Sequence, residues 1–293
     1  MAGWEVVGDL AADTSVEPVA DGRWKARLSE DWNIWGPNGG YVASICLRAA
    51  GVACGLARPA TIACHYLAVG RFDAVDLEVD LLRTTRRTAA VRVHMSQAGT
   101  PLAEATVWAV AEGLDGYVWD DAEAPPAPGP DDTPSVEDRL RGQPAAQRSP
   151  FSFARNLEQK PITWRTEEEW AVFPGGPHEA RTWMRFVPTS TFDDPWVDAC
   201  RSLILLDTWA WPAAVGGVPA SERDRFMAPN LDVTARFHAD TSASEWLFVD
   251  ARAPVASGGL IGTEVRVWTE RGTLGASGGG QLLCRPRPSA TTG

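Results

Sequence analysis

Trp35-Gly36-Pro37-Asn38-Gly39-Gly40 runs without a break into Tyr41-Val42-Ala43-Ser44-Ile45-Cys46-Leu47-Arg48-Ala49-Ala50. Pro37 and the paired glycines interrupt regular structure, and Asn38 is a good N-cap. The run behind it carries one charge, Arg48, so the spacing predicts a helix buried on most sides with both glycines in its first turn. A helical glycine costs about 1 kcal/mol against alanine, so two in one turn need a reason. One reason is chemical: a glycine exposes its backbone N–H, and the helix dipole makes that N–H attractive to negative charge, a developing oxyanion included. The other is steric, a neighbouring strand that packs too closely for a side chain.

Working outward, residues 62 to 111 read as long strands. Thr61–Leu67, Val75–Leu81, Ala90–Met95 and Ala103–Val110 carry apolar residues with a period near two, which means a sheet with one covered face. Gln97-Ala98-Gly99-Thr100-Pro101 supplies a hairpin turn before the last of them. Residues 120–134 are acidic, proline-rich and without large apolar groups, so they read as a linker.

After the linker the first half recurs. Asp193-Asp194-Pro195 precedes a second apolar helix, Trp196–Trp209, which Pro212 stops. Strands follow at Leu231–His238, Glu245–Arg252, Gly262–Trp268 and Gln281–Cys284. Val91-Arg92-Val93 leading to Gly99-Thr100 is echoed by Val265-Arg266-Val267 leading to Gly272-Thr273, about 173 residues on. The expected fold class is α+β, each half an antiparallel sheet wrapped around one long helix. The expected division is 1–119, a linker over 120–148, and 149–293.

With 293 residues and 44% hydrophobic content the chain supports real cores. No run approaches the ~18 apolar residues of a membrane span, and Met1–Glu5 lacks a basic region ahead of an apolar one, so a cytoplasmic location is expected. The five cysteines contain no C-x-x-C pair, and the four histidines show no metal-ligand spacing. A net charge of −11 argues against nucleic acid as a partner. An anionic ligand would need a local basic patch, and Arg83-Thr84-Thr85-Arg86-Arg87 is the candidate.

The duplicated order resembles the double hotdog fold of the TesB-like (type II) acyl-CoA thioesterases and the wider thioesterase-like superfamily. It is carried by Pro37-Asn38-Gly39-Gly40 and its helix, Asn230-Leu231-Asp232 with Arg236-Phe237-His238, Ser244-Glu245-Trp246-Leu247, Ala256-Ser257-Gly258-Gly259, and Gly275-Ala276-Ser277 ending in Arg285. The resemblance implies two hotdogs joined as a pseudo-dimer and hydrolysis of acyl-CoA, with CoA present only as part of the substrate and no cofactor or metal. A homodimer is a further family expectation. Members use an Asp, a Thr and a Gln to position a water. The Asp position falls on Asp232, the Thr position on Pro254, and the Gln position on Gly280 with Gln281 one residue later. A one-residue offset reverses a strand side chain's face unless a bulge intervenes, and Gly278-Gly279-Gly280 makes a bulge plausible. By the same resemblance Asn38, Gly39 and Gly40 would hold the thioester oxyanion, and Arg83, Arg86 and Arg87 the CoA phosphates.

Gly275-Ala276-Ser277-Gly278-Gly279 fits the G-x-S-x-G pattern, but no His follows His238 and no Asp follows Asp250, so a serine-hydrolase elbow is not expected. Cys64 and His65 are adjacent and fall on opposite strand faces, against a local dyad. Pro254 and the displaced Gln281 leave open a hotdog protein that binds acyl thioesters or a lipid-like ligand without hydrolysis. Hydratases and dehydratases of similar fold usually pair a histidine with an acid near the central helix, and neither helix here contains a histidine.

Overall fold

The computed structural model describes residues 8–142 and 149–287; the opening residues read for a leader and the end of the linker, 143–148, lie outside them. The first central helix is Gly39–Cys54. Asn38 caps it, its Oδ1 accepting from the Tyr41 N–H at 2.9 Å, and Gly55 ends it at φ +62°, a left-handed conformation suited to glycine. Every residue from Gly40 to Leu47 is buried. The second central helix is Pro195–Thr208, with the Asp194 carboxylate accepting from the Trp196 N–H at 2.8 Å and Pro195 in its first turn.

The strands are β1 Glu17–Ala20, β2 Arg23–Arg27, β3 Arg58–Tyr66, β4 Ala74–Thr84, β5 Thr88–Gln97, β6 Thr100–Val110, β7 Leu157–Pro161 and β8 Glu179–Phe186. The second half adds β9 Phe226–Met227, β10 Asp232–Phe237, β11 Leu247–Ser257, β12 Leu260–Thr269, β13 Leu274–Gly279, β14 Gln281–Leu283 and β15 Arg285–Pro286. Thirteen of them form one sheet in the order β1-β2-β4-β5-β6-β3-β10-β13-β12-β11-β8-β7, with β14 beside β12. The halves meet where β3 and β10 pair antiparallel, Cys64 opposite Val233 and Ile62 opposite Ala235. The fold is thus the double hotdog, its two sheets fused at that seam and its two helices lying together against one face.

The period-two reading is realised in β4, where Val75, Leu77 and Val79 are buried between exposed Asp76, Glu78 and Asp80. The inward side chains of both halves and both helices form one apolar core. No helix among the described residues is long and apolar enough to cross a membrane.

The helices run antiparallel in direct contact, and this explains one of the paired glycines. A Cβ on Gly40 would stand 2.6 Å from the Ile204 Cα, and one on Gly51 2.5 Å from the Trp196 ring. The steric reading therefore holds for Gly40, with the second helix in place of a strand. Gly40→Ala is expected to cost about 1–3 kcal/mol by overpacking a backbone contact that cannot yield. Chemical denaturation checks this, and an unchanged midpoint would show that the helices can move apart.

The proline-rich stretch is seated rather than free. Trp183, Trp246, Phe248 and Trp268 form a second apolar cluster, and Ala127 packs against it. The Trp183 Nε1 donates to the Pro128 carbonyl at 2.9 Å, and the Lys160 Nζ to the Pro130 carbonyl at 2.7 Å. Prolines suit this role, because they cover apolar surface without adding donors that would need partners. Trp183→Phe is expected to lose about 0.5–1.5 kcal/mol and to speed cleavage within residues 120–134 in limited proteolysis.

Candidate active site

Antiparallel packing brings the last turn of the second helix against the first turn of the first. Asp207, one residue from that end, is 5% exposed. Its Oδ2 accepts from the Gly40 N–H at 2.7 Å. Its Oδ1 accepts from the Tyr66 hydroxyl at 2.8 Å and from the Asn230 Nδ2 at 2.6 Å, and Asn230 also donates to the Asp207 carbonyl at 2.9 Å. Beside them the Asn38 Nδ2 donates to the Thr208 hydroxyl at 2.9 Å.

Burial pushes the Asp207 carboxyl above its ordinary value of 3.8; the donors Asn230, Tyr66 and Gly40 pull it back, and the charge of Asp232 raises it further. Burial, and next the Asp207 charge, hold the Tyr66 phenol well above 10. Tyr66 is thus a standing proton donor to the carboxylate.

Asp207 opens onto a cavity of about 1150 Å³, at the upper end for a small-molecule site. Residues 34–39 and Tyr66 border it on one side, Asp207, Thr208, Trp209 and Asn230 on another, and Val42, Leu102, Phe153, Leu157 and Met184 give it apolar wall. Gly39 forms part of the lining. Among the described residues its N–H has no hydrogen-bond partner, and a Cβ there would stand 2.8 Å from the Asp207 Oδ2 and 2.9 Å from the Tyr66 ring. Gly39 is therefore required by the site, whereas Gly40 is required by helix packing.

The residues expected from sequence divide accordingly. Asn38 and Gly39 line the cavity, and the Gly40 amide, expected to be free for an oxyanion, is taken by Asp207. Asp232 and Gln281 do not line it. Val233 and Ala235 are the inward residues of β10, so Asp232 falls on the outer face, where its Oδ1 accepts from the Gln281 N–H at 2.8 Å. The register against β12 runs on without the inserted residue that a bulge would add, from Gly278 opposite Val265 to Gln281 opposite Gly262, although Gly279 stands at φ +144°. It leaves the Gln281 side chain exposed and over Gly262 instead of turning it inward. Pro254 is exposed, at a register shift in β11.

Arg83 lies at the end of β4 and Arg86 and Arg87 in the β4–β5 turn, and none is part of the cavity's lining. The cations at its border are Arg155, Lys160, Arg185 and Arg285. Arg185 is paired with Glu158 at 2.6 Å, while Arg155 and Arg285 have no ion-pair partner among the described residues.

Two antiparallel helices under one fused sheet, with a buried carboxylate at their junction facing a largely apolar cavity, define a double hotdog protein with a cleft at the helix ends. The chain belongs to the acyl-CoA thioesterase family. The family's C-terminal domain matches residues 120–278 and its N-terminal domain residues 28–110. Among solved structures it is similar to the tesB protein of Mycobacterium avium subs paratuberculosis, with 22% identity, 96% of this chain and 100% of that one covered, and a TM-score of 0.74. The acyl-CoA thioesterase II TesB2 of Mycobacterium marinum gives 20% identity, 96% and 99% coverage, and a TM-score of 0.74. A hot dog fold protein of unknown function from Alicyclobacillus acidocaldarius gives 20%, 97% and 100% coverage, and 0.75. At these identities the structural likeness concerns the fold. No curated protein sequence matches significantly.

Proposed function

We propose that the protein hydrolyses acyl-CoA thioesters with Asp207 as the base. The observation that carries this is a buried carboxylate, its pKa raised by burial, opening onto the cavity at the N-terminus of the first central helix. A thioester carbonyl beside Gly39 would accept its free N–H, and the helix dipole would favour the oxyanion formed on water attack. Asp207 takes the water proton as the C–O bond forms. The C–S bond then breaks, and the sulfur leaves with the proton returned by Asp207, giving the free acid and the CoA thiol. Tyr66 and Asn230 fix the orientation of the carboxylate. The apolar wall at Phe153, Leu157 and Met184 suits an acyl chain, and Arg155 and Arg285 suit the phosphates of the CoA end.

An acyl-CoA panel assayed for released thiol, with wild type beside Asp207→Asn, tests this reading. A second reading, binding of acyl thioesters without turnover, is favoured by Pro254, by the outward Gln281 and by the three donors that occupy Asp207. Calorimetric binding with no thiol release at any chain length would select it.

A further inference from the structure

On the sheet face turned away from the helices, β13 carries the half-buried Ser277 outward, next to buried Ala276. In register it lies opposite Arg236 of β10 on one side and Arg266 of β12 on the other. Buried Ala235, Val265 and Val267 face inward, so both arginines are exposed on the same face as Ser277. With strands about 4.8 Å apart, two guanidinium groups rooted about 10 Å from each other flank one hydroxyl, within reach of their long side chains.

Neither arginine has an ion-pair partner among the described residues, although the chain carries a net charge of −11. The acid directly across from Arg266 is Asp250, and Arg181 at 2.9 Å and Arg252 at 3.4 Å already occupy it. Glu264, two residues along β12, stands opposite Arg252. The Ser277 Oγ lies 2.8 Å from the His238 Nε2. Burial and the neighbouring Arg236 lower the His238 pKa, which favours the neutral ring beside the hydroxyl.

We propose that Arg236, Ser277 and Arg266 form a phosphate-binding site on the outer face of the sheet. Two cations approaching from opposite sides call for an anion with oxygens on more than one side. A tetrahedral phosphate dianion meets that demand, whereas a carboxylate presents both oxygens along one edge. On binding, the Ser277 hydroxyl turns from His238 to the phosphate. The site is separate from the cavity, which lies on the inner face, so it does not depend on Asp207. Its phosphate is either free or carried by a nucleotide other than the substrate bound in the cavity.

Isothermal calorimetry with inorganic phosphate and with adenosine 3′,5′-bisphosphate tests the site. Wild type is expected to bind at least one of the two, and Arg236→Gln/Arg266→Gln to bind it at least about tenfold more weakly, with Ser277→Ala intermediate. Circular dichroism confirms that these exposed substitutions leave the fold intact. No binding by wild type at millimolar ligand, or equal binding by the double variant, overturns the proposal. Given binding, tighter binding of the bisphosphate than of inorganic phosphate identifies a nucleotide as the source, and equal or weaker binding a free phosphate group.

Discussion

Asp207→Asn is expected to lower kcat/KM for acyl-CoA hydrolysis about 10²–10⁴-fold, the usual contribution of a positioned general base. The amide has nearly the same shape but cannot take the water proton. In wild type, activity is expected to fall as pH drops through the Asp207 pKa. Because burial holds that pKa above 3.8, the acid limb of the pH profile lies above the range of an exposed aspartate. The sign for stability is the reverse. A folded-state pKa raised above the unfolded value stabilises the protein at low pH, and that contribution is lost as pH rises through the folded pKa. At neutral pH the neutral amide removes a buried charge but mispairs one donor, either the Gly40 N–H or the Asn230 Nδ2. The two effects oppose each other, and stability is expected to stay within about 1 kcal/mol of wild type. Lost turnover with a preserved melting temperature would support Asp207 as base; preserved turnover would remove it from that role.

Asp198→Ala is expected to destabilise the protein by about 3–5 kcal/mol, read by urea denaturation followed by circular dichroism. Its partner Arg201 is fully buried in the second central helix. The guanidinium donates to the Asp198 Oδ1 and to the carbonyls of Ser190, Thr241 and Ser244, while the Asp198 Oδ2 accepts from the Thr241 hydroxyl. Removing the carboxylate leaves a cation in the core with neutral acceptors alone. Replacing both, as Asp198→Leu with Arg201→Met, is expected to cost less than Asp198→Ala, because no uncompensated charge remains. A loss below about 1 kcal/mol for the single change would mean that the carbonyls alone satisfy Arg201.

The fold was legible because its signals are local and strong. An Asn cap ahead of an apolar run, an Asp-Pro start on a second one and period-two strands each name an element without reference to the rest. The acid of the site was harder to see for the same reason. Asp207 follows Leu203–Leu206 in a run that reads as core, and its partners Gly40, Tyr66 and Asn230 come from a helix start, a strand end and a loop that only packing unites. A carboxylate so deep in an apolar helix is a signal in itself, because it must find donors there. Asp232 was attractive through its place at a strand start, yet strand parity sends it outward with Gln281. Arg83, Arg86 and Arg87 form a basic cluster in sequence, but an eleven-residue strand carries them away from the helix ends.

Duplication offers two helix-end junctions, and the chain treats them differently. At the other junction the first helical position is Pro195, which has no N–H to offer an anion. The Trp196 indole fills the space beside Gly51 and donates to the Leu56 carbonyl at 3.0 Å, while Asp194 stands 3.6 Å from Arg48. A pair of identical subunits would have to keep two equal clefts, each held back by the other's requirements. In one chain the two junctions differ, one filled by the Trp196 indole and the other bordered by the cavity, so the proposed stoichiometry is one thioester per chain, at a junction to which both halves contribute residues.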